Sequence, residues 1–198
     1  MRKTNVTRSY GLLETFLAKK RASKANELIK QKSRSGKILD IGCGTTPYFL
    51  MNTKFKDKYG LDPLVKTQNS DHKIILKKFD IEKNTKLPFK DNNFDVITML
   101  AVFEHIDPDK IPNILIEIRR ILKPKGRFIL TTPCTWTDKL LRTMAIFKLV
   151  SAEEMKEHKA AYTNGSLISY LNDAGFERDK ISVNYFELFL NHCACSDK

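Results

Sequence analysis

The sequence predicts an α/β fold built on a mainly parallel sheet, and three observations carry that reading. Short apolar runs, "KILDI", "KYGLD", "FDVITML" and "RFILTT", alternate with helical or loop-like segments, with no repeat of fixed period. One of them, "ILDIGCGTTPYF" at residues 38–49, passes straight into two glycines one residue apart, as a buried strand does when it ends in a tight turn toward a helix. At 198 residues the chain is long enough to bury a full core and is read as one domain, 1–198.

The elements follow in order. Leu12, Phe16, Ala22, Ala25, Leu28 and Ile29 recur at helical spacing, so residues 9–31 predict one or two amphipathic helices with basic residues outward, ended by "SRSG". Strands are then expected at 37–41, 58–62, 72–81 and 94–100. The segment "DPDKIPNILIEIRRILKPKG" opens on capping acids, sets Ile111, Ile114, Leu115, Ile118, Ile121 and Leu122 on one face, and stops at Pro124 and Gly126. Strand "RFILTT" follows. Beyond it Leu140, Leu141, Met144, Phe147 and Leu149 make an amphipathic stretch longer than an ordinary crossover, which predicts a helical lid over 136–162. "TNGSLISYLNDAG" reads as a capped helix, and two β-rich runs meeting near Phe186 to Asn191 as a closing antiparallel pair.

Charge is unevenly placed. Residues 1–37 hold eleven Lys/Arg against two acids, a net +9, which leaves +3 of the total +12 to the rest of the chain. A basic segment over 1–35 attracts phosphate, anionic lipid or nucleic acid, or serves as a solvated helix face. No stretch approaches the roughly 18 apolar residues of a membrane span, and the N-terminus is too polar for a signal peptide. Four cysteines, Cys43, Cys134, Cys193 and Cys195, then read as free thiols of a cytoplasmic protein.

The glycine turn excludes two ligand classes. A dinucleotide site asks for a third glycine where Pro47 stands, and a phosphate loop asks for a lysine followed by Ser/Thr, which "GCGTTPYF" lacks. A ligand without phosphate is favoured. With "ILDIGCG", "YGLDP", "FDI" at 79–81, "LPFKDNNFDVITMLAVFEHI" and "ILKPKGRFILTTP" in this order, the sequence resembles the class I S-adenosylmethionine-dependent methyltransferases of the small-molecule branch, from about Arg21 to the C-terminus. The later stretch 137–176 looks most like enzymes of polysaccharide and lipid pathways. The resemblance implies a Rossmann-like, doubly wound, mainly parallel seven-stranded sheet with an antiparallel C-terminal pair, helices on both faces, an N-terminal helix and a lid.

It also implies S-adenosylmethionine as cofactor and S-adenosylhomocysteine as product. Gly42 and Gly44 leave room for the cofactor's methionine part, with Cys43 as a small packing residue between them. Asp40 is expected beside the amino group. Asp62 stands about 20 residues beyond the turn, where an acid accepts from ribose hydroxyls in dinucleotide folds. Asp80 is expected to accept from the adenine amino group, with Ile81 donating its backbone N–H to the ring. Leu100 and Ala101 offer backbone to the methionine end.

Methyl transfer is an in-line displacement, so alignment dominates and a base is needed only when the acceptor must lose a proton. His105, of the Glu104–His105 pair, and His158 are the candidates. In the resembled family a pair of this kind often braces the loop. "HCAC" at 192–195 falls short of a four-ligand zinc spacing, and Ala101 stands where a second acid would join a metal site, so no metal is expected. The expected acceptor is a small molecule, glycan or lipid-linked group methylated at oxygen, with weak membrane-surface contact left open. RNA as acceptor is an alternative that "MLAV" argues against, because it replaces the Asn/Asp-Pro-Pro-aromatic signature. A cofactor-binding protein without turnover is another, opposed by the intact Asp40, Gly42, Gly44, Asp62 and Asp80.

Overall fold

The computed structural model describes residues 12–65, 68–69, 74–137, 159–187 and 189–198. Its strands are β1 (Lys37–Ile41), β2 (Asp57–Asp62), β3 (Gln68–Asn69), β4 (Ile74–Lys78), β5 (Phe94–Leu100), β6 (Leu122–Pro133), β7 (Ile181–Phe186) and β8 (Asn191–Asp197). They form one sheet in the order β3-β4-β2-β1-β5-β6-β8-β7. β4, β2, β1, β5 and β6 pair in parallel. β8 runs antiparallel to both β6 and β7, so β7 points the same way as the parallel strands and β8 is wedged between. The two-residue β3, unexpected from the sequence, adds an antiparallel edge to β4.

The chain order reverses at β1, with β2 and β4 on one side and β5 and β6 on the other. In open α/β sheets, ligands bind at the carboxyl ends of the strands at such a reversal. The central strands are buried on both faces: Ile38, Leu39 and Ile41 of β1 and Phe94, Val96, Ile97 and Met99 of β5 are all inaccessible.

Helices cover both faces. On one, α1 (Leu12–Leu28) and the single-turn α2 (Tyr48–Met51) set Ala22, Ala25, Phe49 and Leu50 against Ile38, Val96 and Ile129. On the other, α3 (Ile111–Ile121) and α4 (Asn164–Asp173) set Ile114, Leu115, Ile118, Leu167 and Leu171 against Leu39, Ile97 and Phe128. Asp107 caps the short turn Pro108–Lys110 that leads into α3, its side chain accepting from Asp109 N, while α3 itself has no side-chain cap at Lys110. Thr163 and Ser166 form a reciprocal cap on α4. At the other end of α1, Leu28 O accepts from Arg127 (2.8 Å), midway along β6 where it pairs with Val96 of β5, and Lys30 and Arg127 both bind Asp197. The N-terminal end of α1 therefore lies toward the carboxyl edge of the sheet.

Several expectations are corrected. Phe16 is 53% exposed and is no core residue, because α1 approaches the sheet through its two small alanines. The expected strand at 72–81 ends at Lys78, since Asp80 and the residues after it turn back on themselves through side-chain and backbone bonds. The glycine turn leads into one helical turn only. β6 begins at Leu122, before Pro124, and a register shift between Phe94 and Val96 absorbs the extra residues. Of the expected lid, residues 138–158 lie outside the described residues.

Candidate cofactor site

Four strand ends meet at the reversal point. Gly42 and Gly44 follow β1 with φ of 74° and 70°, the left-handed region that favours glycine. The N–H groups of Gly42 and Cys43 both donate to Leu61 O (2.7 and 3.2 Å), closing the loop onto the end of β2. The two glycines are bare for different reasons. A Cβ on Gly42 would lie 2.2 Å from Val102 Cγ2, whereas one on Gly44 would, among the described residues, meet nothing closer than Thr46 O at 3.9 Å. Gly42 is required by the protein, and Gly44 keeps an open space beside the loop.

Asp62, buried at the end of β2, accepts from Gly44 N through Oδ2 (3.0 Å) and from Leu64 N through Oδ1 (2.8 Å). Asp40 is also buried. The β1–β5 register sets it opposite Thr98, whose hydroxyl donates to Oδ1 at 2.6 Å. Burial raises the Asp40 pKa from 3.8 to about 7; the Thr98 bond opposes the shift and the Asp62 charge adds to it. A cation beside Asp40 would therefore be bound strongly by the ionised form.

Asp80 and Ile81 lie in the turn after β4. Phe79 N donates to Asp62 O (3.1 Å), joining this turn to β2. Asp80 accepts from Glu82 N (3.0 Å) and pairs with Lys83 (3.2 Å). Partial burial raises its pKa, but the lysine and the backbone N–H outweigh that, and the carboxyl is held below its ordinary range. Ile81 packs, half-buried, on the core. At the end of β5, Leu100 packs half-buried on the α1 side. Ala101 takes a φ of 54°, unusual for a residue with a side chain, and its N–H is held by Thr131 O (3.0 Å) and Oγ1 (3.2 Å). The structure thus brings Asp40, Gly42, Gly44, Asp62, Asp80, Ile81, Leu100 and Ala101 to one edge.

Cys43 is a packing residue here. Burial, with the Asp40 and Asp62 charges, pushes its thiol far above the ordinary range. A Cβ on Gly60 would sit 2.7 Å from its Sγ, so the bare strand position in β2 makes room for the sulfur.

On the other side of β5, the turn Phe103–His105 carries the Glu-His pair. Glu104 is buried; Thr132 Oγ1 donates to its Oε2 (3.0 Å), and its backbone O accepts from Lys159 N (2.9 Å) and Ala160 N (3.4 Å). It ties the loop after β5 to the end of β6 and to the chain entering α4. His105 is half-buried on that turn, its N–H donating to Val102 O (3.0 Å). His158 lies outside the described residues. His192 is buried with Nε2 against Tyr162 O (3.0 Å), and burial lowers its pKa, which keeps the ring neutral at pH 7. Among the described residues no three His, Cys, Asp or Glu side chains are placed to hold a metal.

Sequence reading missed Thr98, Val102, Gly60, Thr131 and Thr132. A lone threonine in the apolar "FDVITML" is a signal that its hydroxyl needs a buried partner. Naming Asp40 as that partner needs the strand register. A cleft of about 730 Å³ beside Arg34 and Lys58 lies at the amino ends of the strands, away from these groups.

The residues fit the cofactor implied. Three carboxylates on adjacent strand ends suit an ammonium, a ribose diol and an adenine amine, and the space beside Gly44 admits backbone contact. A methyltransferase-domain family model matches residues 13–181. A protein of Methanocaldococcus jannaschii of uncharacterised function is 36% identical over 98 residues, covering 46% of this chain and 38% of that protein. The Mus musculus "Probable tRNA methyltransferase 9B" is 26% identical over 120 residues, covering 59% of this chain and 26% of that protein. The chain thus spans well under half the length of these two relatives. An S-adenosylmethionine-dependent methyltransferase of Archaeoglobus fulgidus shares the fold, with a TM-score of 0.67 at 16% identity over 92% of this chain and 94% of that one. The family model spans most of the chain and the sheet order agrees with it: the chain belongs to the methyltransferase-domain family, in the fold that the Archaeoglobus fulgidus structure shares.

Proposed function

We propose that this chain transfers a methyl group to an oxygen of a small-molecule, glycan or lipid-linked acceptor in the cytoplasm. The observation that carries the reading is the set Asp40, Asp62 and Asp80 at the carboxyl ends of β1, β2 and beyond β4, around a loop with an open face at Gly44 and no phosphate-binding lysine. When bound, S-adenosylmethionine supplies a methyl carbon activated by its sulfonium. Asp40 holds the ammonium. Asp62 accepts from the ribose hydroxyls, held in place by the N–H groups of Gly44 and Leu64. Asp80 accepts from the adenine amine while Ile81 N donates to the ring, and the backbone of Gly42, Gly44, Leu100 and Ala101 lines the methionine end.

His105 and His158 are the proton acceptors assigned for the acceptor hydroxyl. Glu104 is a positioning residue that fixes the turn bearing His105. Calorimetry with S-adenosylmethionine and with NAD tests the cofactor half: tighter NAD binding ends the reading. Methyl transfer from labelled cofactor into hydroxyl-bearing glycans and lipids, run beside bulk tRNA, tests the acceptor. Label in tRNA alone favours a second reading, RNA methylation, which the partial match to the mouse protein and the basic N-terminal segment support.

A further inference from the structure

We propose that the corner of the molecule around the β7–β8 hairpin tip docks on an anionic lipid surface. Among the described residues eight large apolar side chains are exposed. The four aliphatic ones, Met51, Leu64, Ile75 and Ile116, are scattered over separate elements. The four aromatic ones, Phe16, Trp136, Tyr185 and Phe189, flank a single tip, and Phe189 is the most exposed of all at 66%.

The placement follows from contacts. Tyr185 and Phe189 pack edge to face, centroids 5.7 Å apart. Leu190 O accepts from Cys134 N (3.0 Å) and from the Thr137 hydroxyl, which brings Trp136 to the tip. Phe186 packs inward with the cluster holding Ala22 and Ala25, so α1 and the hairpin are one body. Lys20 and Arg21 act on the Glu187 carboxylate, and Lys20 stands over the Phe16 ring, 5.4 Å from its centroid. Glu187 and Phe189 both hold left-handed φ, 52° and 67°. Two side-chain-bearing residues in that region cost conformational energy, here at a tip that projects a phenyl ring into water.

Charge selects the partner. Lys19, Lys20 and Arg21 are consecutive in the middle of α1, where Lys20 and Arg21 lie close enough to act on Glu187 at the tip, and Arg2, Lys3 and Arg8 precede them in sequence. Outward-projecting aromatic rings beside a cluster of cations are the composition of a contact with the interface of an anionic membrane. A nucleic-acid strand asks instead for cations and rings spaced along a groove. The tip lies at the same sheet edge as Gly44 and Asp62, because β7 points the same way as β1 and β2. A lipid surface there faces the edge at which methyl is delivered. The proposal deepens the lipid-linked branch of the function above and rests on that reading for its purpose, though not for its test.

Trp136 is the only tryptophan in the chain, so its emission reports on this corner directly. The full chain is titrated with vesicles of phosphatidylcholine, with and without phosphatidylglycerol, and sedimented with them. A blue shift and co-sedimentation are expected only with phosphatidylglycerol, both weakened by salt. Lys19→Ser with Lys20→Ser should lower that binding on the order of 20-fold, and Phe189→Ser should reduce both the shift and the binding. Unchanged affinity for S-adenosylmethionine in these variants shows that they fold. Emission already blue in the free chain and unmoved by vesicles overturns the proposal, as does absence of co-sedimentation. A shift produced by single-stranded RNA and not by vesicles overturns it in favour of nucleic acid. Vesicle binding without methylation of any lipid leaves the docking surface standing and removes the lipid-linked acceptor.

Discussion

The two halves of the sheet are held in different ways. Around β1, β2, β4 and β5, the half proposed to hold the cofactor closes its loop on backbone groups: glycines at φ of 74° and 70°, amide groups donating to Leu61 O, and the N–H groups of Gly44 and Leu64 donating to the Asp62 carboxylate. Around β6, β8 and β7 the ties run through side chains to partners far apart in sequence, such as Thr132 to Glu104, His192 to the Tyr162 carbonyl, and Arg127 and Lys30 to Asp197. A loop made of backbone bonds needs particular residues at particular positions. A scaffold made of side-chain ties needs only that register bring the partners together.

The largest expected effect sharpens that contrast. Gly42→Ala puts a Cβ 2.2 Å from Val102 Cγ2 at a φ of 74°. Overpacking and left-handed strain together should destabilise the chain by roughly 2–4 kcal/mol, read as a lower urea midpoint. Glu104→Ala attacks the other half. It leaves the Thr132 hydroxyl buried without its acceptor and should cost roughly 1–3 kcal/mol, with loss of methyl transfer but retained cofactor affinity. If Glu104→Ala abolished cofactor binding as well, the two halves would not be separable.

The same contrast explains what was legible in the sequence. "ILDIGCG" and "YGLDP" encode the glycine loop because its constraints are local: a positive φ asks for glycine, and a strand-end acid stands beside the turn it braces. The helix over Ile111–Ile121 was equally legible from its spacing. Phe16 misled because apolar periodicity does not say which face of α1 meets the sheet, and the two alanines allow the closer approach. The left-handed φ of Ala101 carried no signal in the sequence, since Thr131 holds its N–H across a strand pair. The same holds for Thr132 and Glu104, 28 residues apart, whose partnership exists only once β5 and β6 are side by side.

Within the cofactor half, Asp62→Asn should weaken S-adenosylmethionine by roughly 1–3 kcal/mol, from charge-assisted bonds to the ribose. Because Asp62 also holds Gly44 N and Leu64 N, the loop should loosen too, visible as faster amide exchange at these two positions. Unchanged affinity in the folded variant would leave Asp62 a turn residue alone.

Asp40 predicts a pH dependence. Its folded pKa of about 7 lies above its ordinary 3.8, so between those values the folded chain holds a proton that the unfolded chain has released. Stability from this group is present below the ordinary value and is lost as pH rises through about 7. Asp40→Asn should therefore be more stable than the parent above that pH. In the proposed site the cofactor's ammonium needs the ionised Asp40 carboxylate, so affinity should rise by up to tenfold per pH unit below about 7, level off above it, and vanish as a trend in Asp40→Asn. Proton release on binding, seen by calorimetry in buffers of different ionisation enthalpy, checks the same point.

The smallest effect on stability separates the two glycines. Gly44 shares the left-handed φ of Gly42 but, among the described residues, has nothing nearer than 3.9 Å to an added Cβ. Gly44→Ala therefore carries the backbone penalty without the clash, about 1 kcal/mol, while its methyl group projects into the space assigned to the methionine part of the cofactor. Denaturant titration should show a modest shift, smaller than for Gly42→Ala, and calorimetry a loss of cofactor affinity out of proportion to it. Equal losses of stability in the two variants would mean that Gly44, too, is bare for the protein's sake, and the open face of the loop would no longer mark where the cofactor lies.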